Sequence, residues 1–305
     1  MVLYCKNKAI YDIDKEKVIN KDLLPGLMRK NPCSYTFKHW LKLRYSTNTN
    51  SLARRLKGIT FGQGNRVTIN KHTHILSLSD CYWVKDKSDD LLFEDVSPYY
   101  NDFWKGEGIY KKDTAIPTLY VGGYLSKEWV SSKFLNKYGS DIEIEEVVSK
   151  LCKICSIPVC GVKKIETGIQ VENFTNPKLM LEQADQSGII DPDDFTELDI
   201  VNYMGISGIQ MLTIDAIVGN GDRHAGNFGW LRDTDTGRYV IPAPLYDFDH
   251  ALDSKLPCDR LIKDTIKVAN IGYQGEVARI CKIVIALNTN NIFKLRAGKM
   301  LELLR

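Results

Sequence analysis

Val218-Gly-Asn-Gly-Asp222-Arg-His-Ala-Gly-Asn227-Phe-Gly-Trp-Leu231 is the stretch on which the reading of this chain turns. It follows a long apolar run and packs two glycines, an acid and an amide into one short loop. The amide lies five positions beyond the acid. The loop then passes into a short strand pattern, Phe228 to Leu231, a polar turn at Gly237 and a second strand pattern, Tyr239 to Ile241. Tyr246-Asp247-Phe-Asp-His-Ala-Leu252 comes next and brings a second acid after a hairpin-length interval. Gly, Asn and Asp are also ordinary turn residues, so each alone is a helix-ending turn as readily as a site. The set of three oxygen donors in this order is harder to produce by chance.

Phosphoryl transfer is a chemistry that needs these residue types. A carboxylate orients the attacking hydroxyl and takes its proton, and hard oxygen ligands hold the Mg²⁺ that neutralises the triphosphate. A protein kinase sets an acid and an amide five apart on one loop and a second acid on a later hairpin, and Asp222, Asn227 and Asp247 stand in that order. The Gly-Asp-Arg-His-x-x-Asn loop followed by apolar-Tyr-Asp resembles the HipA-like protein kinases, including the CtkA-type branch, and is distantly similar to the phosphoinositide 3/4-kinases. The resemblance covers roughly residues 105–255. It implies an α+β, two-lobed protein-kinase-like fold with a small β-rich N-lobe and a helical C-lobe, ATP and Mg²⁺ as cofactors, Asp222 as catalytic base, Asn227 and Asp247 as metal ligands, and His224 as a loop-bracing residue. Two features depart from ordinary protein kinases: the loop reads Gly-Asp-Arg-His, and Asp249 stands where a glycine usually follows Asp-Phe.

The same resemblance asks the smaller lobe for a lysine on the phosphates and a helix glutamate to hold it. Lys127, in Tyr-Leu-Ser-Lys, is the first choice and Lys133 the competitor. Glu145 is the expected glutamate, with Glu146 close behind. Val171-Glu172-Asn-Phe174 looks like the hinge on which adenine sits, and Gly106 and Gly108, with Lys111 and Lys112, would cover the phosphates. Any one of these is also readable as a strand end, a solvated helix face or a plain turn.

Around this centre the chain divides into a basic N-terminal accessory region (1–104), an N-lobe (105–178) and a C-lobe (179–305). Gly122-Gly123 reads as a two-residue hairpin turn leading into a return strand, 124–129. Ser140-Asp141 caps a helix through about Cys155, with Val147, Val148, Leu151, Cys152 and Cys155 on one face. Ile169 to Val171 is a strand. Thr196-Glu-Leu-Asp199 is a capping box that opens one long helix through about Val218. Asn50-Ser51 caps a basic amphipathic helix, Val67 to Ile69 is a short strand, and residues 76–104, rich in aromatics and acids, read as a packed connector.

Composition is that of a globular protein, 44% hydrophobic and 26% charged over 305 residues. No apolar run reaches the ~18 residues of a membrane span, and the start lacks the order of a secretion signal. A cytoplasmic location with reduced thiols is therefore expected for the eight cysteines. The net charge of +3 is uneven: residues 1–75 hold 15 Lys/Arg against 4 Asp/Glu. That imbalance fits either a basic surface docked on an acidic catalytic part or an acidic partner, a nucleic acid or an acidic protein face; the HipA-like resemblance raises an antitoxin-like protein as such a partner. Cys152-x-x-Cys155 with Cys160 sits in an apolar helix without a histidine and reads as buried thiols. His72-x-His74 lacks a third metal ligand. Asp233-Thr-Asp-Thr-Gly237 reads as a hairpin turn, since Pro244 falls where a calcium loop would close.

The expected activity is transfer of the γ-phosphoryl group of ATP to a protein Ser or Thr, with autophosphorylation at a residue such as Ser126, Ser131, Ser132 or Ser254. The alternatives are a lipid or small-molecule acceptor, or a nucleic-acid-binding regulator on a kinase-like scaffold. Lys255, Arg260, Lys263 and Lys267 are balanced by Asp253, Asp259 and Asp264, which favours a protein over an anionic head group.

Overall fold

A computed structural model describes residues 1–44, 74–101, 126–139, 143–252 and 258–304, and the backbone of 59–61 and 67–69. It is a mixed α and β structure built on three sheets of three or four strands and on helices that lie between and after them. No helix among the described residues is long and apolar enough to cross a membrane. The Gly-x-Gly at 106–108, the glycine pair at 122–123, the basic helix expected after Asn50 and His72 lie outside the described residues. The pair Ile59–Phe61 and Val67–Ile69 is antiparallel.

The first sheet runs in the order Lys17–Val18, Lys8–Asp12, Val2–Cys5, Tyr82–Lys85, all antiparallel. Residues 76–101, the described part of the packed connector expected over 76–104, belong to this sheet and its core. They supply a strand, and Trp83 is wholly buried, its indole N–H donating to the Lys6 carbonyl. The helix Ser34–Arg44 sends Phe37, Trp40 and Leu41 into the same apolar cluster. Each such side chain, taken out of water, contributes roughly 1.5–3 kcal/mol. The helix end is fixed by Arg44, which grips both carboxylate oxygens of Asp80 at 2.7 and 2.8 Å.

The second sheet runs Ser126–Ser131, Phe134–Tyr138, Gly168–Glu172, Val162–Ile165. The expected return strand at 124–129 is thus the first arm of a hairpin that turns at Ser132-Lys133. The second arm, Phe134–Tyr138, lacked the glycine punctuation that marks most tight turns. Gly168 is required where this sheet closes, because any Cβ there would lie 2.1 Å from the Lys137 carbonyl oxygen. The helix Ile144–Ile154 follows, with Val148, Leu151 and Cys152 buried but Val147 40% exposed. The apolar stripe is therefore narrower than its sequence pattern.

The third sheet, Leu179–Gln183, Gly229–Asp233, Tyr239–Pro242, is antiparallel throughout. Its outer turn is an Asx turn: Asp233 Oδ1 accepts from the Asp235 and Thr236 backbone N–H groups at 3.1 and 2.7 Å.

The capping box opens the helix Glu197–Met204, with Thr196 accepting from the Asp199 N–H and the Asp199 carboxylate closing the reciprocal bond. The single long helix expected from there is two. Gly205, at φ 60° and ψ −134°, adopts a backbone that side chains strongly disfavour, and a second helix, Ile206–Val218, departs from it. The two pack so closely that a Cβ on Gly208 would meet the Ile200 carbonyl oxygen at 2.9 Å. Ile206–Val218 buries every residue from Ile209 to Val218 except Gln210, which is how a helix apolar all round must sit. Helices Cys258–Ala269, Gln274–Ala286 and Asn291–Leu303 surround it.

Two apolar clusters result, and they cut across the segments drawn from sequence. Val148, Leu151, Cys152 and Cys155 pack with the C-terminal helices, and Met180 packs with the N-terminal sheet. Cys152, Cys155 and Cys160 are buried and free. His74 is buried too, its Nδ1 2.8 Å from the Val84 carbonyl oxygen.

The N-terminal region is tied to the third sheet by polar contacts as well. Arg232 is fully enclosed. Its guanidinium donates to the carbonyls of Leu24, Asp22 and Gly237, to the Tyr82 hydroxyl and to the Glu182 carboxylate. Glu182 also accepts the Gly26 N–H at 2.9 Å and the Tyr239 hydroxyl. At the rim, Lys6 and Lys8 lie 2.9 and 3.6 Å from Asp235, so part of the N-terminal basic charge is neutralised within the chain.

Candidate active site

Helix Ile206–Val218 ends at Gly219, whose left-handed φ of 74° stops the helix and releases the loop that carries Asp222. The brace of this loop is Arg223. Its Nε and Nη2 donate to the two oxygens of Asp215 at 2.9 Å each, and its Nη1 donates to the Asn227 and Tyr246 carbonyls at 3.0 Å each. The guanidinium also stacks over Phe248, 4.8 Å from the ring centre. Burial works against the charge of Arg223, but the Asp215 carboxylate outweighs it and holds the arginine above its ordinary value. One buried cation thus joins the loop after the helix to the segment that carries Asp247. His224, expected to brace the loop, plays a smaller part: its Nδ1 accepts the Gly226 N–H at 3.1 Å.

Asp222 is 52% exposed, with one carboxylate oxygen 3.7 Å from His250 Nε2. Asn227 is buried and donates its amide to the Asp222 carbonyl at 3.3 Å. Its side-chain oxygen remains available as an acceptor. Asp247 adopts φ 62°, a left-handed conformation that Asp tolerates better than most residues and that concentrates at functional sites.

Glu145 is the glutamate that holds a lysine, and the lysine is Lys137. Its Nζ donates to Glu145 Oε1 and to Asp247 Oδ1, each at 2.7 Å, with all but a few per cent of the side chain enclosed. Neither Lys127 nor Lys133 meets Glu145. Lys127 lies on the neighbouring strand, directly opposite Lys137, and Lys133 is exposed in the hairpin turn. The sequence pattern missed Lys137 because the strand carrying it was not distinguished from the connection before the helix. Glu146 faces outward and pairs with Lys150 at 3.0 Å.

The charges of the trio follow from this packing. Burial would lower the Lys137 pKa, but Asp247 and Glu145 raise it well above the ordinary lysine value. Burial would raise Asp247, but Lys137 and then Lys127 hold it below the usual carboxylate range. For Glu145, burial prevails over the pull of Lys137 and the pKa is raised. The carboxylates of Glu145, Asp247 and Asp249 offer oxygens all within 4.8 Å of one another. Asp249, read from sequence only as a departure from the usual glycine, therefore belongs to this cluster.

At the expected hinge, the Glu172 N–H donates to the Gly161 carbonyl at 2.7 Å and its carbonyl accepts from Cys160 Sγ at 2.8 Å. Its main chain is committed to the sheet. Phe174 has no backbone hydrogen bond among the described residues, and its ring lies 5.5 Å from that of Tyr246. Gln183 and the Tyr246 hydroxyl both donate to the Gly226 carbonyl, tying that aromatic pair to the loop. Asp185, beside the loop, has a buried Oδ1 with no hydrogen-bond partner among the described residues, and burial pushes its carboxyl up to about 7.

No family model matches the sequence, and neither does any curated protein. Among solved structures the chain is similar to the proinflammatory kinase CtkA of Helicobacter pylori. The identity is 16%, the match covers 60% of this chain and 90% of that chain, and the TM-score is 0.36. It is also similar to a structure of the Shewanella oneidensis MR-1 toxin–antitoxin system HipA, HipB and its operator DNA. There the identity is 13%, the coverage 99% and 96%, and the TM-score 0.47. Structures of the CtkA and HipA types, which the loop motif resembles, are thus among those to which the chain is similar.

Proposed function

We propose that this chain is a kinase of the HipA-like type that binds ATP and Mg²⁺ between a β-rich lobe and a helical lobe and transfers the γ-phosphoryl group to a protein Ser or Thr. The observation that carries the reading is the buried Lys137, shared at 2.7 Å between Glu145 and Asp247. A lysine held by a helix glutamate, next to an acid from a later hairpin, is the arrangement that positions a triphosphate in protein kinases. The reading replaces Lys127 with Lys137 as the held lysine and keeps Glu145, Asp222, Asn227 and Asp247 in their expected roles.

The donor set fits a magnesium ion. Asn227 gives its amide N–H to the Asp222 carbonyl and Asp247 gives one oxygen to Lys137, so each keeps a hard oxygen for a metal, with Asp249 close by. Bound there, the ion neutralises triphosphate charge. Asp222, half exposed at the loop tip, accepts the proton of the acceptor hydroxyl. Lys137 orients the phosphates. Phe174 and its free backbone groups meet the adenine edge, in place of the committed main chain of Glu172. In this reading residues 1–104 remain an accessory region whose basic surface meets an acidic partner.

Transfer of label from γ-labelled ATP to a mixed protein substrate, with Mg²⁺, tests the proposal. The unaltered chain is expected to incorporate label into itself or the substrate, and Asp222→Ala and Asp247→Asn to abolish it. Equal incorporation by all three removes the reading.

A further inference from the structure

Beside the loop that carries Asp222 lies a cavity of about 270 Å³, between the helices Glu197–Met204, Ile206–Val218 and Cys258–Ala269. Phe195, Leu212 and Leu261 form its apolar side, and Asn220 and Gly221, the two residues that lead into Asp222, line it as well. A site that encloses a whole small-molecule ligand measures ~300–1,000 Å³. This smaller space suits a single side chain.

Its charges are not balanced within the chain. Asp215 is matched by Arg223, in the buried pair that braces the loop. Glu197, in the first turn of its helix, makes no side-chain hydrogen bond or ion pair among the described residues. Asp264 reaches only Arg260, at 3.4 Å, and the Arg260 side chain is 77% exposed. An ion pair so open to water holds Asp264 weakly. Asn220 is 1% exposed; its amide donates to Asp215 at 2.8 Å, and its Oδ1 has no hydrogen-bond partner among the described residues. A buried acceptor without a donor is costly.

The unmet groups of the cavity are thus anions and an acceptor, set beside apolar surface. They complement a long basic side chain, whose methylene stem lies on apolar surface while its charged head donates hydrogen bonds. A metal ion does not suit the lining. Among the described residues the only three His, Cys, Asp or Glu side chains with ligand atoms within 4.8 Å of one another are Glu145, Asp247 and Asp249, none of which lines this cavity.

We infer that the cavity receives an arginine or lysine of the protein acceptor, within a few residues of the Ser or Thr that meets Asp222. The inference rests on the proposed transfer to protein. Position decides for a peptide over a free cation: Gly221 lines the cavity and is bonded to Asp222, so one chain laid across the loop reaches both. Glu197 and Asp264 select the substrate and take no part in the chemistry.

Fluorescence anisotropy and label transfer on the full chain test this, with labelled peptides that carry one Ser and one Arg at successive positions on either side. Each peptide has a twin with citrulline, which keeps the shape of arginine and loses its charge. At one position the Arg peptide is expected to bind about tenfold or more tighter than its twin, the range of a charge-assisted hydrogen bond, and to accept more label. Glu197→Gln with Asp264→Asn should remove that preference while the chain melts within a few degrees of the unaltered one. Arg260→Ala, which releases Asp264, should keep or strengthen it. Equal binding of Arg and citrulline peptides at every position, with label still transferred to a mixed protein substrate, overturns this inference alone. So does a preference that survives the double substitution. Displacement of the peptide by free arginine at equal concentration makes the cavity a small-cation site and likewise overturns the inference. A chain that transfers label to no substrate removes the kinase reading, and the acceptor role of the cavity with it.

Discussion

Lys137 and Asp247 stand 110 positions apart in the chain and 2.7 Å apart in space. The contact joins the β-hairpin of the second sheet to the segment that follows the third sheet, and Glu145 completes it from a helix. It is also where stability and chemistry can be tested separately.

Lys137→Met leaves Glu145 enclosed without its cation. Breaking one partner of a buried pair costs about 3–5 kcal/mol, so urea unfolding should show a loss of that order. Adding Glu145→Gln should restore much of the stability, because the more deeply buried of the two carboxylates that Lys137 neutralises no longer carries a charge. Label transfer should be lost in both variants. Recovery of transfer in the double variant would count against a phosphate role for Lys137.

The Asp222 carboxylate is half exposed and, among the described residues, makes only a long contact with His250. Asp222→Ala should change stability by no more than about 0.5 kcal/mol, as for other surface sites. It should lower kcat by about 10²–10⁴, the usual contribution of a positioned acid–base group. A matched melting curve and rate measurement check both halves.

Arg223→Lys keeps the charge but loses the planar fork that reaches Asp215 and two carbonyls together. The loop at 222–227 and the segment at 246–248 would no longer be held by one group. We expect kcat to fall more than KM rises, with a measurable drop in melting temperature. Steady-state kinetics with ATP as the varied substrate tests this.

Burial raises the Asp185 carboxyl from an ordinary 3.8 to about 7. Its folded-state pKa is therefore above its unfolded value. Between about pH 4 and 7 the folded chain holds a proton that the unfolded chain releases. The Asp185 contribution to stability is greatest at the acid end of this window and falls as pH rises through it, by at most about 1.4 kcal/mol per unit. Asp185→Asn should flatten that decline. Urea unfolding of both chains at several pH values from 4.5 to 8 measures it, and identical slopes would refute it.

Asp222, Asn227 and Asp247 could be singled out from sequence because their identity and their order both suit one chemistry, and the roles given to them rest with the label-transfer test. The helix carrying Glu145 and the capping box at Thr196 were legible from period and polar pattern. Lys137 was not, since lysine is common on strands and only the pairing with Gly168–Glu172 reveals its face. Arg223 sat inside the motif, yet its task depends on Asp215 in the preceding helix and on carbonyls that no sequence pattern displays. Asp249 broke an expected pattern, and its neighbours in space give it a meaning that its neighbours in sequence do not. The helix break at Gly205 was missed because a lone glycine within an apolar periodic run is tolerated in many helices.

The enclosed guanidinium of Arg232 bears on how this chain can be dissected. Three of its acceptors, the carbonyls of Asp22 and Leu24 and the Tyr82 hydroxyl, come from the first hundred residues. Cutting those residues away would uncover Met180 and strip a sealed cation of three of its five acceptors in a single stroke. A shortened chain that lost activity would therefore report a damaged interior and say nothing about regulation. Single substitutions on the outer surface of the N-terminal sheet, away from Lys6 and Lys8, are the means by which its purpose can be asked.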